Sequence, residues 1–249
     1  MNLNFKNKKI LITGTSQGIG YQLAKDFLKD GGIVAGVSRK KINLGNNYKH
    51  ITENLFKINS VKNVVKKLKK NKIWPLDILI HNAGGTLNIT NPFCSKKDWN
   101  RVFRLNFEVI VELDSIISRT MIKRKKGRIV YVSSISAMEN HGPVTYCSAK
   151  AALAAYTRSF GGILAPHGVV ASCVLPGAVL APNNYWDKKI KTDPKHVKKY
   201  LTERQRIGRF GKTKEISDFI KFLSSDHASF NTGSIIPIDG GQGRGYFGQ

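Results

Sequence analysis

The sequence predicts an α/β fold of the doubly wound kind, a parallel sheet with helices on both faces. Three observations predict it. Short, nearly continuous apolar runs recur along the chain, helical patterns separate most of them, and no Pro/Gly/Ser-rich linker interrupts the series. Residues 9–13 form the first such run and stop at a glycine-rich turn. Residues 19–28 then show helical spacing through Leu23, Ala24, Phe27 and Leu28, and Gly31-Gly32 ends that helix. Further strands are expected at 33–37, 78–80, 129–132, 169–174 and 234–238. The lysine-rich stretch 62–72 reads as the wet face of a helix whose apolar side is Val61, Val64, Val65 and Leu68. The run Lys123-Arg124-Lys125-Lys126-Gly127-Arg128 fits a helix C-terminus, with cations on the negative end of the dipole and Gly127 in the left-handed position. In such a sheet ligands bind beyond the carboxyl ends of the strands, so each site residue is expected just after a strand or at a helix start.

The 249 residues suffice for one large domain, and residues 1–249 are read as one. The chain enters a strand-like run within its first ten residues, which leaves no room for a signal peptide, and no stretch approaches the roughly 18 apolar residues that span a membrane. Cys94, Cys147 and Cys173 are far apart and odd in number, as expected of reduced thiols in a cytoplasmic protein. The six histidines show no ligand spacing, so no metal is expected. The formal charge of +25 raises the question of a polyanionic partner. That charge is diffuse, its dense runs carry no interleaved aromatics, and no zinc-finger or RNA-recognition signature occurs, all of which argues against nucleic acid.

Thr13-Gly14-Thr15-Ser16-Gln17-Gly18-Ile19-Gly20 joins the first strand to the first helix. Glycines there permit positive φ angles and close backbone approach, which brings a pyrophosphate against the free N–H groups of a helix N-terminus. At the end of the second strand, Val37-Ser38-Arg39-Lys40-Lys41 places no acid where NAD sites hold the ribose 2′-OH. Ser38 and the Arg39 guanidinium suit a 2′-phosphate, so NADP(H) is the expected cofactor. The plain alternative is that Arg39 and its lysines are solvated loop charges. Tyr146 and Lys150 stand four residues apart on a helical stretch, 146–164, and share a face. An ammonium beside a phenol favours the phenolate and is expected to lower its pKa, making Tyr146 a proton donor and acceptor.

These motifs, with His81-Asn82-Ala83-Gly84, Asn106, Ser133-Ser134, Pro176-Gly177 and Asp239-Gly240-Gly241, occur in the order and at the approximate intervals of the short-chain dehydrogenase/reductase family. Over essentially its whole length the chain resembles that family's single-domain branch, which includes 3-oxoacyl-ACP reductases and carbonyl reductases. The resemblance implies a Rossmann-type fold and an oxidoreductase acting on a carbonyl or alcohol. It also implies that Lys150 binds the nicotinamide ribose and that Asn106 holds a relay water, the alternative for Asn106 being a helix-interior amide bonded to backbone. Ser134, at the end of its strand, is expected to hydrogen-bond the substrate oxygen. Strand register selects Ser134, whereas the interval back from Tyr146 selects Ser133. Asn54 and Leu55 are expected beside the adenine, Asn82-Ala83-Gly84 beside the cofactor, and Pro176, Gly177 and Val179 against the nicotinamide. His81 and Ala181 depart from the asparagine and threonine frequent in relatives. Residues 183–211 correspond to a substrate-covering lid. Its many lysines and arginines suit an anionic or carrier-bound substrate, or equally an exposed helix of a lysine-rich protein. Tyr185 and Trp186 line the pocket or pack the lid, and His141 is read as a surface residue. A homotetramer built through the two long central helices, or a dimer, is the assembly the resemblance implies. A dinucleotide-binding sensor or polyanion binder without turnover is the competing class, disfavoured because it has no chemical need for the Tyr146, Lys150, Ser134 and Asn106 set.

Overall fold

The computed structural model describes residues 3–139 and 142–243. In chain order the elements are β1 (Lys9–Thr13), α1 (Gly18–Lys29), β2 (Ile33–Ser38), β3 (Tyr48–Thr52), α2 (Ser60–Lys70), β4 (Ile78–His81), α3 (Lys96–Phe103), α4 (Val109–Lys123), β5 (Gly127–Val132), α5 (Val144–Leu164), β6 (Val169–Pro176), β7 (Val179–Leu180), α6 (Tyr185–Thr192), α7 (Pro194–Arg204), β8 (Gly211–Lys212), α8 (Thr213–Leu223) and β9 (Ile235–Ile238). Seven strands form one parallel sheet in the order β3-β2-β1-β4-β5-β6-β9. The chain builds outward from β1 through β2 to β3, then returns to the other side of β1 with β4. Neighbouring crossovers diverge there, opening a crevice at the carboxyl ends of β1 and β4.

Side chains alternate across the sheet, so β1 feeds two separate cores. Ile10 and Ile12 pack with Leu23 and Phe27 of α1 and with Ile216 and Ile220 of α8. Leu11 enters the opposite layer with Leu113, Ile117 and Leu153 of α4 and α5. Each such aliphatic side chain contributes about 1.5–3 kcal/mol on removal from water, which is why strands buried on both faces read as apolar runs.

The expected strands all form, and α2 buries Val61, Val64, Val65 and Leu68 as its pattern requires. One strand went unread and one reading needs correction. The edge strand β3 carries no apolar run; only Tyr48 and Ile51 of its residues are buried, while Lys49 and Thr52 are exposed. And Gly127 does not take the left-handed position, which falls to Lys125 at φ 51°. Gly127 instead opens β5, and a methyl group there would collide with the Met121 side chain of α4. Its glycine is needed for close helix-on-sheet packing rather than for a turn. Residues 183–211 carry two helices, α6 and α7, around a small core of Ala178, Val197 and Phe210 flanked by Trp186, Tyr200 and Leu201. No helix of the described residues is long and apolar enough to cross a membrane.

Candidate active site

The crevice contains a cavity of about 960 Å³ running from the carboxyl end of β2 to the start of α5. At one end, the turn after β1 carries Gly14 at φ 77° and Gly18 at φ 61°, backbone conformations that glycine adopts without strain. A methyl at Gly20 would overlap the Gly14 carbonyl and the Asn82 amide, so this glycine lets α1 seat against the turn. Helix α1 opens with no side-chain cap and no acid in its first turn. Its leading N–H groups are left for another acceptor, the arrangement that favours an anion. Thr13 braces the turn: its hydroxyl accepts from the Asn82 and Ala83 amides, both at 3.0 Å, while Asn82 Nδ2 donates to the Thr13 and Gly14 carbonyls at 3.0 and 3.2 Å. The 81–84 segment is thereby stitched to the glycine turn across the β1–β4 gap.

A second brace comes from the edge strand that the sequence did not announce. Tyr48 reaches over β2 to bring its hydroxyl 2.9 Å from Thr15 Oγ1, passing where a side chain on Gly36 would collide with it. Burial holds the Tyr48 phenol above its ordinary range, so it stays a neutral hydrogen-bonding group.

Ser16, Gln17, Gly18, Ile19, Ser38, Arg39, Asn54, Leu55, Asn82, Ala83, Gly84, Pro176, Gly177 and Val179 all line the cavity, with Gly14 at its floor and Tyr146, Lys150 and Ser134 at its far end. Gly20 and Asn106 stand behind the wall. Ser38 donates its hydroxyl proton to the Lys40 carbonyl at 2.8 Å, which leaves Arg39 as the donor suited to an anion there. Arg39 is exposed at the cavity edge and forms no ion pair with a described residue.

At the far end, Lys150 is 2 % exposed; Nζ donates to the Val132 carbonyl at 2.9 Å and lies 5.6 Å from the centre of the Tyr146 ring. Burial pulls the lysine down to about 8 and pushes the tyrosine up to about 12, the latter opposed by a hydrogen bond from Ser134. The expected lowering of the phenol by the ammonium therefore does not hold in the protein alone. Lys150 Nζ stands over the ring, and desolvation is the largest influence on the phenol.

The two serines separate cleanly. Ser133 Oγ donates to the Lys150 carbonyl at 3.0 Å and is committed to backbone, whereas Ser134 lines the cavity beside Tyr146 and donates its own hydroxyl to Ser136 Oγ at 3.1 Å. Asn106 is fully buried in a π-helical turn, Arg104–Glu108, donating to the Val102 and Gly85 carbonyls at 2.8 and 3.0 Å and accepting from the Gly85 amide. A methyl on Gly84 would lie 2.7 Å from Asn106 Oδ1 and 3.0 Å from Lys150 Nζ, so both groups converge behind the same glycine. His81 is 1 % exposed and bonds Asp114 at 2.8 Å, a core role. Trp186 lines the cavity, Tyr185 is 58 % exposed against it, and His141 lies outside the described residues. Sequence reasoning missed Asn184 and Gln242. The first announces itself only as Asn-x-x-Asp before α6, where its side chain accepts from the Asp187 amide. The second has partners 64 and 42 residues away and no local signal. Among the described residues no group of His, Cys, Asp and Glu is arranged to hold a metal.

A sequence model of the short chain dehydrogenase family matches residues 8–190. The 3-oxoacyl-(acyl-carrier-protein) reductase of Escherichia coli K12 is 29% identical over 255 residues, spanning 96% of this chain and 98% of that protein. The reductase of the same name from Buchnera aphidicola of Acyrthosiphon pisum is 32% identical over 250 residues, with 96% and 98% covered. Among solved structures, the L-sorbose reductase of Gluconobacter frateurii complexed with NADPH and L-sorbose superposes with a TM-score of 0.88 at 24% identity, covering 99% of this chain and all of that one. The aldohexose dehydrogenase of Thermoplasma acidophilum gives 0.84 at 26% identity, with 95% and 94% covered.

Proposed function

Because the chain belongs to the short chain dehydrogenase family and is an oxidoreductase, we propose that it transfers a hydride between NADP(H) and a carbonyl or secondary-alcohol substrate, with Tyr146 as general acid and base. One observation carries this reading: the Tyr146, Ser134 and Lys150 side chains share a single cavity with the uncapped helix and its glycine turn. When bound, the nicotinamide supplies or accepts the hydride. The residues present fit such a group. The α1 N-terminus, Ser16, Gln17, Gly18 and Ile19 would hold the pyrophosphate, Asn54 and Leu55 the adenine, and Arg39 a 2′-phosphate. Asn82, Ala83, Gly84, Lys150, Pro176, Gly177 and Val179 would hold the nicotinamide half.

Ser134 would hydrogen-bond the substrate oxygen while the Tyr146 hydroxyl gives its proton to the oxygen as charge develops there, or takes one back in oxidation. Lys150, buried at the end of that path and held by the Val132 carbonyl, would stabilise the phenolate left behind. Asn106, which meets Lys150 behind Gly84, would hold the onward proton route.

The relatives' names and the lid favour an anionic or carrier-bound substrate. Lys191 and Lys199 are paired within their own helices and Lys189 with Asp193 just after α6, but Lys188, Lys195 and Lys198 form no ion pair with a described residue. The direct test is NADPH consumption over a panel of ketones, including 3-oxoacyl thioesters; no turnover with any would overturn the reading. Arg39→Ala should weaken NADPH binding about 10–100-fold and leave NADH binding nearly unchanged, as loss of a charge-assisted phosphate contact requires. Equal weakening of both would remove Arg39 from the phosphate site. For assembly, the half-buried rings of Phe107, Tyr156 and Phe160 on the α4/α5 side support a homotetramer or dimer through those helices. Sedimentation as a monomer at micromolar concentration would exclude it.

A further inference from the structure

Two side-chain amides join the lid to the cavity loop at residues 177–179. From the lid, Asn184 caps α6 with its oxygen and donates its Nδ2 to the Val179 carbonyl at 2.7 Å. From the far end of the chain, Gln242 accepts the Ala178 amide at 2.8 Å through Oε1 and donates through Nε2 to the Tyr200 hydroxyl of α7. Gln242 is 9 % exposed, so these bonds form away from water and both ends of its amide are used. Gly177 makes room for it, since a methyl there would lie 2.8 Å from Gln242 Oε1 and from Asp239. Tyr200 in turn packs its ring 4.2 Å from that of Trp186, which lines the cavity.

We propose that Gln242, with Asn184, is a positioning residue that locks the lid helices to the 177–179 loop, so that a cofactor held by that loop also holds the lid closed over the substrate. The two helices bury little apolar surface of their own beyond Val197, Phe210 and the partly buried Trp186, Tyr200 and Leu201. Such a segment opens at low free energy unless something fastens it. Two polar clamps on one three-residue loop make lid opening and loop movement a single event. Ligand bound to the loop then opposes opening by its differential affinity for the two states. This coupling rests on the cofactor reading above, in which the loop faces the nicotinamide.

The lysine-rich lid makes the test direct, because trypsin reports its opening. NADPH should slow cleavage within residues 183–211 of the full chain about tenfold or more, since cleavage follows the open population and bound ligand depletes it. In Gln242→Leu the slowing should fall to about twofold or less while NADPH fluorescence shows binding retained. Gln242→Glu should restore it, because a carboxylate accepts from both the Ala178 amide and the Tyr200 hydroxyl. Tyr200→Phe cuts only the lid end of the clamp and should uncouple as Gln242→Leu does, which keeps the test decisive if the leucine variant misfolds. Undiminished protection in Tyr200→Phe, or protection absent from the unmodified protein that binds NADPH, overturns the clamp alone. Absence of NADPH binding in the unmodified protein overturns the cofactor reading and the clamp together.

Discussion

Tyr146→Phe is expected to lower kcat/KM for carbonyl reduction by about 10³-fold while leaving NADPH affinity within about twofold. The substitution removes one hydroxyl and keeps the ring on which Lys150 rests, so the cavity wall and the lysine's bond to Val132 should persist. Ser134 would still polarise the substrate oxygen, its own hydroxyl donating to Ser136 Oγ at 3.1 Å. With burial holding the phenol at about 12, the protein alone presents the protonated form at neutral pH, ready to donate. Reduction should therefore be nearly independent of pH on the acid side of neutrality. Alcohol oxidation, which begins from the phenolate, should accelerate as pH rises. Steady-state kinetics of the variant in both directions checks this; undiminished turnover would remove Tyr146 from the chemistry.

Lys150→Met should abolish turnover to a similar degree and yet stabilise the unliganded protein by about 1–3 kcal/mol at pH 7, raising Tm by several degrees. The lysine is 2 % exposed, with one carbonyl as its hydrogen-bond partner and no carboxylate paired with it among the described residues. Its folded-state pKa of about 8 lies below the 10.5 of an exposed lysine. At pH 7 both folded and unfolded chains bind the proton, and the folded one bears the whole desolvation cost. Between about 8 and 10.5 the unfolded chain holds the proton that the folded chain has already released, so stability rises with pH through that window. In Lys150→Met this rise should vanish. Thermal melts of both proteins from pH 7 to 10 measure it; a methionine variant less stable than the parent at pH 7 would show that the lysine is fully compensated. A stabilising loss of activity is what a strained functional group predicts.

Most of the architecture was legible because a strand buried on both faces has no choice but to be apolar. The runs at 9–13, 78–80, 129–132 and 169–174 announced β1, β4, β5 and β6 in this way. The site's glycines, Tyr146, Lys150 and Ser134 were legible because each follows a strand or opens a helix, where the fold puts ligands. Edge strand β3 escaped, since with one flank free only two of its side chains need burial, and Gly127 was misread because a glycine after a basic run looks the same whether it turns the chain or admits a helix.

What the sequence determined alone is therefore the order of the elements, the glycine turn after β1 and the polar side chains that reach the cavity, all of which follow from local periodicity and residue chemistry. The tertiary structure decided what depends on neighbours distant in the chain. It tied the Ser133 hydroxyl to the Lys150 carbonyl while leaving Ser134 on the cavity wall beside Tyr146, and it made desolvation the main influence on the phenol. It also brought Gln242 between Ala178 and Tyr200. Spacing along a helix specifies which side chains share a face, but burial and hydrogen-bond partners are summed over every segment packed around a group, and only the folded chain assembles that sum.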